Sequence, residues 1–144
     1  MKEYYGNPDL TEAVVKNTWF FTGDIGYKNE QGSLVLVGRK RNEINKAGMK
    51  IYPEDIDLVL EGNVNVVEAC TFAIDDPISG QNVGVAIVLK DTHVAIEGVK
   101  EWLVKNISPH KFPSKWFVVD EIPKTSRGKI KRDLVAKACL EENV

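Results

Sequence analysis

At 144 residues, with a formal net charge of −2 and 43% hydrophobic residues, the chain fits one domain, or a domain with a fragment of another, and does not fit a general polyanion binder. Its longest apolar run, Val83–Leu89, is far too short to cross a bilayer, and the opening MKEYYGNPDL lacks the apolar core of a signal peptide. Cys70 and Cys139 are widely spaced and His93 and His110 stand apart, so neither a disulfide framework nor a metal site is predicted, and a reducing, cytoplasmic setting is expected.

In chain order, a short polar helix is predicted over Asp9–Lys16. WFFTGDIGY and LVLVG then read as two strands around a polar NEQGS segment containing Gly32, a β-hairpin. A lone hairpin is marginal in water, so it packs on the rest of the chain or is cut from a larger sheet. From Arg39 onward the pattern changes. In KIYPEDIDLVL, Pro53 stands where a first helical residue belongs, acids follow in the first turn, and Ile56, Val59 and Leu60 share one face. Val66–Ile74 is rich in strand formers, and Asp75-Asp76-Pro77 supplies turn chemistry. Gln81–Lys90 reads as a second strand, whose run VGVAIVL predicts burial on both faces. Ile96, Val99, Leu103 and Ile107 keep helical spacing. Ser108–Pro113 reads as a loop, Lys115–Val119 as a third strand and Ile130–Leu140 as a final helix. The order predicts an α+β fold: a small mixed or antiparallel sheet with packed helices, preceded by a hairpin.

Charge is distributed unevenly. Residues 39–50 hold five cations against one anion, and residues 124–137 hold six against one, together 11 of the 19 basic residues. Two local patches in an acidic background suit a small anionic ligand better than a long nucleic-acid track. No nucleic-acid partner is expected.

Three motifs occur in order: TWFFTGDIG (Thr18–Gly26), GRKRNEINKAGMKIYPEDID (Gly38–Asp57) and PKTSRGKIKR (Pro123–Arg132). Through them the chain resembles the adenylate-forming superfamily, which includes acyl-CoA synthetases, the adenylation domains of peptide synthetases and firefly-type luciferases. The resemblance covers essentially the whole chain but not a whole enzyme. It implies that residues 1–38 end a large N-terminal adenylating domain, the hairpin being a remnant of that domain. It further implies that residues 39–144 form the small mobile C-terminal lid.

The roles of single residues follow from that resemblance. Asp24 would accept the ribose hydroxyls of a nucleotide, and Arg39 would contact the ribose or a neighbouring phosphate. Arg41 takes the place of the hinge residue, where relatives carry Asp or Lys. Gly48 and Lys50 lie in the segment brought in for CoA and the thioester step, Gly48 leaving room beside a pantetheine arm. Lys129 would be the catalytic lysine, reaching the substrate carboxylate and the α-phosphate. Read from the residues alone, Asp24 is a turn acid, Arg39 a surface cation and Gly48 a left-handed turn residue. Lys131 and Arg132 read as solvated surface charges.

The implied activity is that of an acid–CoA ligase using ATP, Mg²⁺ and CoA, with a carboxylic acid as substrate and a missing N-terminal domain of the same polypeptide as partner. Loading of a carrier protein is one alternative. A non-catalytic nucleotide- or CoA-binding module is the other.

Overall fold

The structure is a computed structural model that describes residues 2–141, and it divides between Arg41 and Asn42 into two units. In the first, Asn7 Oδ1 accepts the Leu10 N–H at 3.0 Å and Pro8 occupies the first turn, which opens helix α1 (Pro8–Val14). The helix stops short of the predicted Lys16 because Val15–Lys16 (β1) pairs antiparallel with Trp19–Phe20 (β2). Positive φ at both Asn17 and Thr18 closes that two-residue turn.

The expected hairpin is β3 (Asp24–Lys28) with β4 (Leu34–Arg39). Its loop is tied by Asn29 Oδ1, which accepts the Ser33 N–H at 2.8 Å. A register shift falls between Ile25 and Gly26. A Cβ on Gly26 would stand 2.6 Å from the Val35 carbonyl oxygen, so only glycine fits the close approach. The register sets Asp24 opposite Arg39.

The second unit contains β5 (Ile44–Lys46), β6 (Met49–Ile51), α2 (Pro53–Glu61), β7 (Val66–Asp76), β8 (Gly80–Leu89), α3 (Ile96–Asn106), β9 (Lys115–Val118) and α4 (Arg132–Glu141). Strand order is β6-β5-β8-β7, with β9 parallel to β8 and the remaining pairs antiparallel. The fold is therefore α+β with a mixed sheet. Alternation along β7 and β8 builds two cores. Ala69, Val83, Val85 and Ile87 join Ile44, Ile51, Ile56, Leu60, Val99 and Leu103 beneath α2 and α3. Cys70, Phe72, Ile74 and Ala86 join Ile122, Val135 and Cys139 beneath α4. Burying an Ile or Leu side chain is worth about 1.5–3 kcal/mol, so the two faces together hold the sheet between its helices.

Two local features depart from the sequence reading. Residues 44–51 form a hairpin where only a glycine turn was predicted. The last helix begins at Arg132 rather than Ile130, because Ile130 bridges back to Lys124 and the Lys131 N–H donates to the Pro123 carbonyl at 3.1 Å. Among the described residues no helix is long and apolar enough to cross a membrane.

Candidate functional site

Asp24 and Arg39 are brought together by the β3–β4 register. Arg39 Nε lies 2.6 Å from Asp24 Oδ1, with the side chains 48% and 30% exposed. The loop before β3 braces the pair: the Asp24 N–H donates to Thr22 Oγ1 at 3.1 Å, and Arg39 Nη1 donates to the Thr22 carbonyl at 3.3 Å. The Lys40 N–H donates to the Gly23 carbonyl at 2.9 Å. An ion pair this exposed contributes little stability, about 0–1 kcal/mol. What it provides is chemistry: carboxylate lone pairs and a guanidinium fork held side by side. Thr22, Gly23, Arg39, Lys40 and Arg41 line an open depression of about 570 Å³. Arg41 itself lies in a 3-10 turn, Lys40–Asn42, at the division between the units.

Gly48 is at the tip of the β5–β6 hairpin, with φ +84°, and its N–H donates to Asn45 Oδ1 at 3.0 Å. Ala47 also has positive φ, and its N–H donates to the Ser79 carbonyl at 2.8 Å, which fixes the tip against the β7–β8 turn. No atom stands within 4 Å of a Cβ built on Gly48, so its surroundings are open. Lys50, on β6, pairs with Glu43 at 3.3 Å and is 64% exposed.

Lys129 sits on a closed turn rather than on the helix it precedes. The Thr125 N–H donates to the Lys129 carbonyl at 2.8 Å, and the Gly128 N–H donates to the Thr125 carbonyl at 2.9 Å. Thr125 Oγ1 accepts the Lys129 N–H at 3.1 Å. Gly128, at φ +76°, supplies the left-handed residue that this turn requires. The lysine is exposed and forms no ion pair among the described residues. Asp24 and Arg39, Gly48 and Lys50, and Lys129 thus occupy three separate local devices.

Arg132 corrects the sequence reading. It is not a solvated charge: its side chain is 16% exposed and its guanidinium lies among buried acceptors. Nη2 stands 2.6 Å from Asp57 Oδ2 and 3.7 Å from Glu54 Oε1, and Nη1 donates to the Thr71 carbonyl at 2.7 Å. Asp57 Oδ1 also accepts the Thr71 N–H at 2.6 Å, and Glu54 Oε1 accepts from Asn42 Nδ2 at 2.5 Å. Burial pushes Asp57 up to about 6, against the pull of Arg132. Burial works against the charge on Arg132, but Asp57 outweighs it and holds the guanidinium above its ordinary value. Burial likewise raises the Cys70 thiol to about 12, which leaves it inert. No local signal in the sequence marks this pair, because which cation of KIKR is buried is set by tertiary packing.

Over 142 residues the chain is 37% identical to a probable CoA ligase, CCL9, of Humulus lupulus and 38% identical to an oxalate–CoA ligase of Arabidopsis thaliana. Each match covers 98% of this chain, yet the chain spans only 27% and 28% of those relatives' lengths. The structure of o-succinylbenzoate CoA synthetase from Bacillus subtilis, in complex with an acyl-adenylate intermediate, superposes with a TM-score of 0.88 at 29% identity. That match covers 94% of this chain and 28% of the synthetase. Residues 55–129, more than half of the chain and ending at Lys129, match the C-terminal domain of AMP-binding enzymes, and the chain belongs to that family.

Proposed function

We propose that the chain is the C-terminal part of an ATP-dependent acid–CoA ligase, in which the residues up to the Arg41 pivot close a large adenylating domain and those after it form its mobile lid. The observation that carries this reading is Lys129: an exposed ammonium on a hydrogen-bonded turn, with no ion-pair partner among the described residues. In the first half-reaction a carboxylate oxygen of the substrate attacks the α-phosphorus of ATP. The bond to pyrophosphate breaks and acyl-adenylate forms. Lys129 would lie between the incoming carboxylate and the α-phosphate, offsetting their repulsion and stabilising the charge that builds on the phosphoryl oxygens. Asp24 would accept the ribose hydroxyls while Arg39 holds it in place and offers its remaining donors to the nucleotide.

In the second half-reaction the sulfur of CoA attacks the acyl carbon, the bond to AMP breaks, and the thiol proton leaves to solvent. Rotation about Arg41 would withdraw Lys129 and present the Gly48 hairpin, whose open tip suits a narrow pantetheine arm, with Lys50 near phosphate. The division of the chain immediately after Arg41 supports a pivot there. Among the described residues no group of three or more His, Cys, Asp or Glu could hold a metal ion. Mg²⁺ would accompany ATP, as the resemblance implies.

The test separates the half-reactions in the intact enzyme. Lys129→Ala is expected to slow ATP–pyrophosphate exchange by about 10²–10³-fold, the usual cost of losing one preorganised electrostatic group. Thioester formation from supplied acyl-adenylate should persist. Equal loss of both steps would overturn the division of labour.

A further inference from the structure

We infer that Arg132 is the positioning residue for Lys129, fixing the return leg of the lysine's turn to α2 and β7. The inference rests on the proposed role of Lys129.

The Lys129 side chain has no ion-pair partner among the described residues, and its backbone bonds are to Thr125 within the same turn. Its direction is therefore inherited from wherever the two legs of residues 124–130 are anchored. The outgoing leg is held by buried Ile122 and by Lys124, which reaches Glu68 at 2.7 Å but is 43% exposed. An exposed pair of that kind holds weakly. The return leg runs through Ile130, half-buried, to Arg132, only three residues from Lys129, or about 10 Å of extended chain at most.

Arg132 holds firmly. Its planar fork engages the Asp57 carboxylate, the Thr71 carbonyl and, at longer range, Glu54, so its position and its orientation are both fixed. Glu54 Oε1 is shared with Asn42, the residue directly after the proposed pivot, so the anchor of the lysine turn and the start of the second unit belong to one polar cluster. Helix α4 has its own attachment in buried Val135 and Cys139. Loss of the fork would therefore loosen the first turn of α4 and the leg before it while the helix stays docked.

The experiment uses the intact enzyme with Arg132→Lys, Arg132→Met, Lys129→Ala and the double variant Lys129→Ala/Arg132→Met. Lysine keeps the charge facing Asp57 without the fork, so Arg132→Lys serves if the methionine variant does not fold. The expected result is a fall of about 10²-fold in ATP–pyrophosphate exchange, the scale of a 1 Å misplacement of a reacting group. Thioester formation from supplied acyl-adenylate should be unchanged. Because Arg132 acts through Lys129, the double variant should be no slower than Lys129→Ala alone. In the 144-residue chain, Arg132→Lys should lower the backbone amide order parameters of residues 125–129 and leave those of residues 135–139 in place.

Loss of both half-reactions together would show a merely structural residue and overturn the inference. Multiplying effects in the double variant, or normal exchange in both Arg132 variants beside a slow Lys129→Ala, would overturn it as well. Normal exchange in Lys129→Ala would instead overturn the proposed role of the lysine, and the positioning claim with it.

Discussion

At the scale of single residues, two glycines show that one substitution can act through different physics. Gly84 lies in the middle of β8 with ordinary backbone, but a Cβ there would stand 2.5 Å from Ile74 Cδ1, 2.8 Å from Ile74 Cγ1 and 2.9 Å from Phe72 Cε2. Both neighbours are buried in the core beneath α4, and Phe72 packs on Phe117 with ring centroids 5.9 Å apart. Gly84→Ala is therefore an overpacking change and should cost about 1–3 kcal/mol. Gly48 is the opposite case: no atom lies near a new Cβ, but φ is +84°. Gly48→Ala should cost about 1–2 kcal/mol through left-handed strain alone. Urea unfolding of both variants checks the pair. A midpoint shift for Gly84→Ala no larger than that of an exposed β-strand substitution would refute the packing argument.

At the scale of elements, two acids give opposite pH signatures. Asp76 ends β7 and accepts the Ser79 N–H at 2.7 Å, the Ser79 hydroxyl at 2.8 Å and the Ile78 N–H at 3.0 Å. These bonds, the Ser79 N–H first, hold its carboxyl below the ordinary aspartate value. A depressed folded value means that its contribution is present above the unfolded value of 3.8 and is lost as pH falls through the folded one. Asp57 is raised, so its contribution is full below 3.8 and is lost as pH rises through about 6. Carboxyl carbon NMR titration should place Asp76 below and Asp57 above 3.8. Asp76→Ala should flatten the acid limb of the stability profile, and the same titration order for both acids would refute the assignment.

These elements also show what the sequence makes legible. The β7 and β8 runs and the Pro53 helix start are local signals, and each lies where its chemistry predicts; the turn expected at Asp75-Asp76-Pro77 falls later, Asp75 and Asp76 closing β7 as strand residues. The 44–51 hairpin was missed because INKAGMKI closes through Ala47 at positive φ, a residue that gives no turn signal. Arg132 was missed because burial is a tertiary property: nothing in KIKR distinguishes the arginine that enters the core from the lysine that stays in water. Asp24 and Arg39 were each singled out through the resemblance, but their mutual ion pair depends on a hairpin register that the bulge at Ile25/Gly26 sets.

For the whole molecule, the question is what a chain that spans 27–28% of its curated relatives' length can do by itself. The chain offers a carboxylate–guanidinium pair, an open depression of about 570 Å³ and a presented lysine. Tight small-molecule sites bury most of their ligand between apolar walls. The depression lined by Thr22, Gly23, Arg39, Lys40 and Arg41 is open to solvent, so it cannot enclose most of an adenine ring. Charge attraction to triphosphate remains, but between exposed groups it is weak and screened by salt. ATP should therefore bind the 144-residue chain with a dissociation constant of about 1 mM or weaker, a free energy of about −4 kcal/mol or less in magnitude. Amide shift perturbations on titration should cluster at Thr22–Arg41 and around Lys129, and weaken as salt is raised. ATP–pyrophosphate exchange by this chain alone should be absent, because the carboxylate must be held in line with the α-phosphorus for Lys129 to act on both. Measurable exchange, or micromolar salt-insensitive binding, would mean that these residues assemble a complete nucleotide site by themselves, and the proposed dependence on a larger adenylating domain would fall.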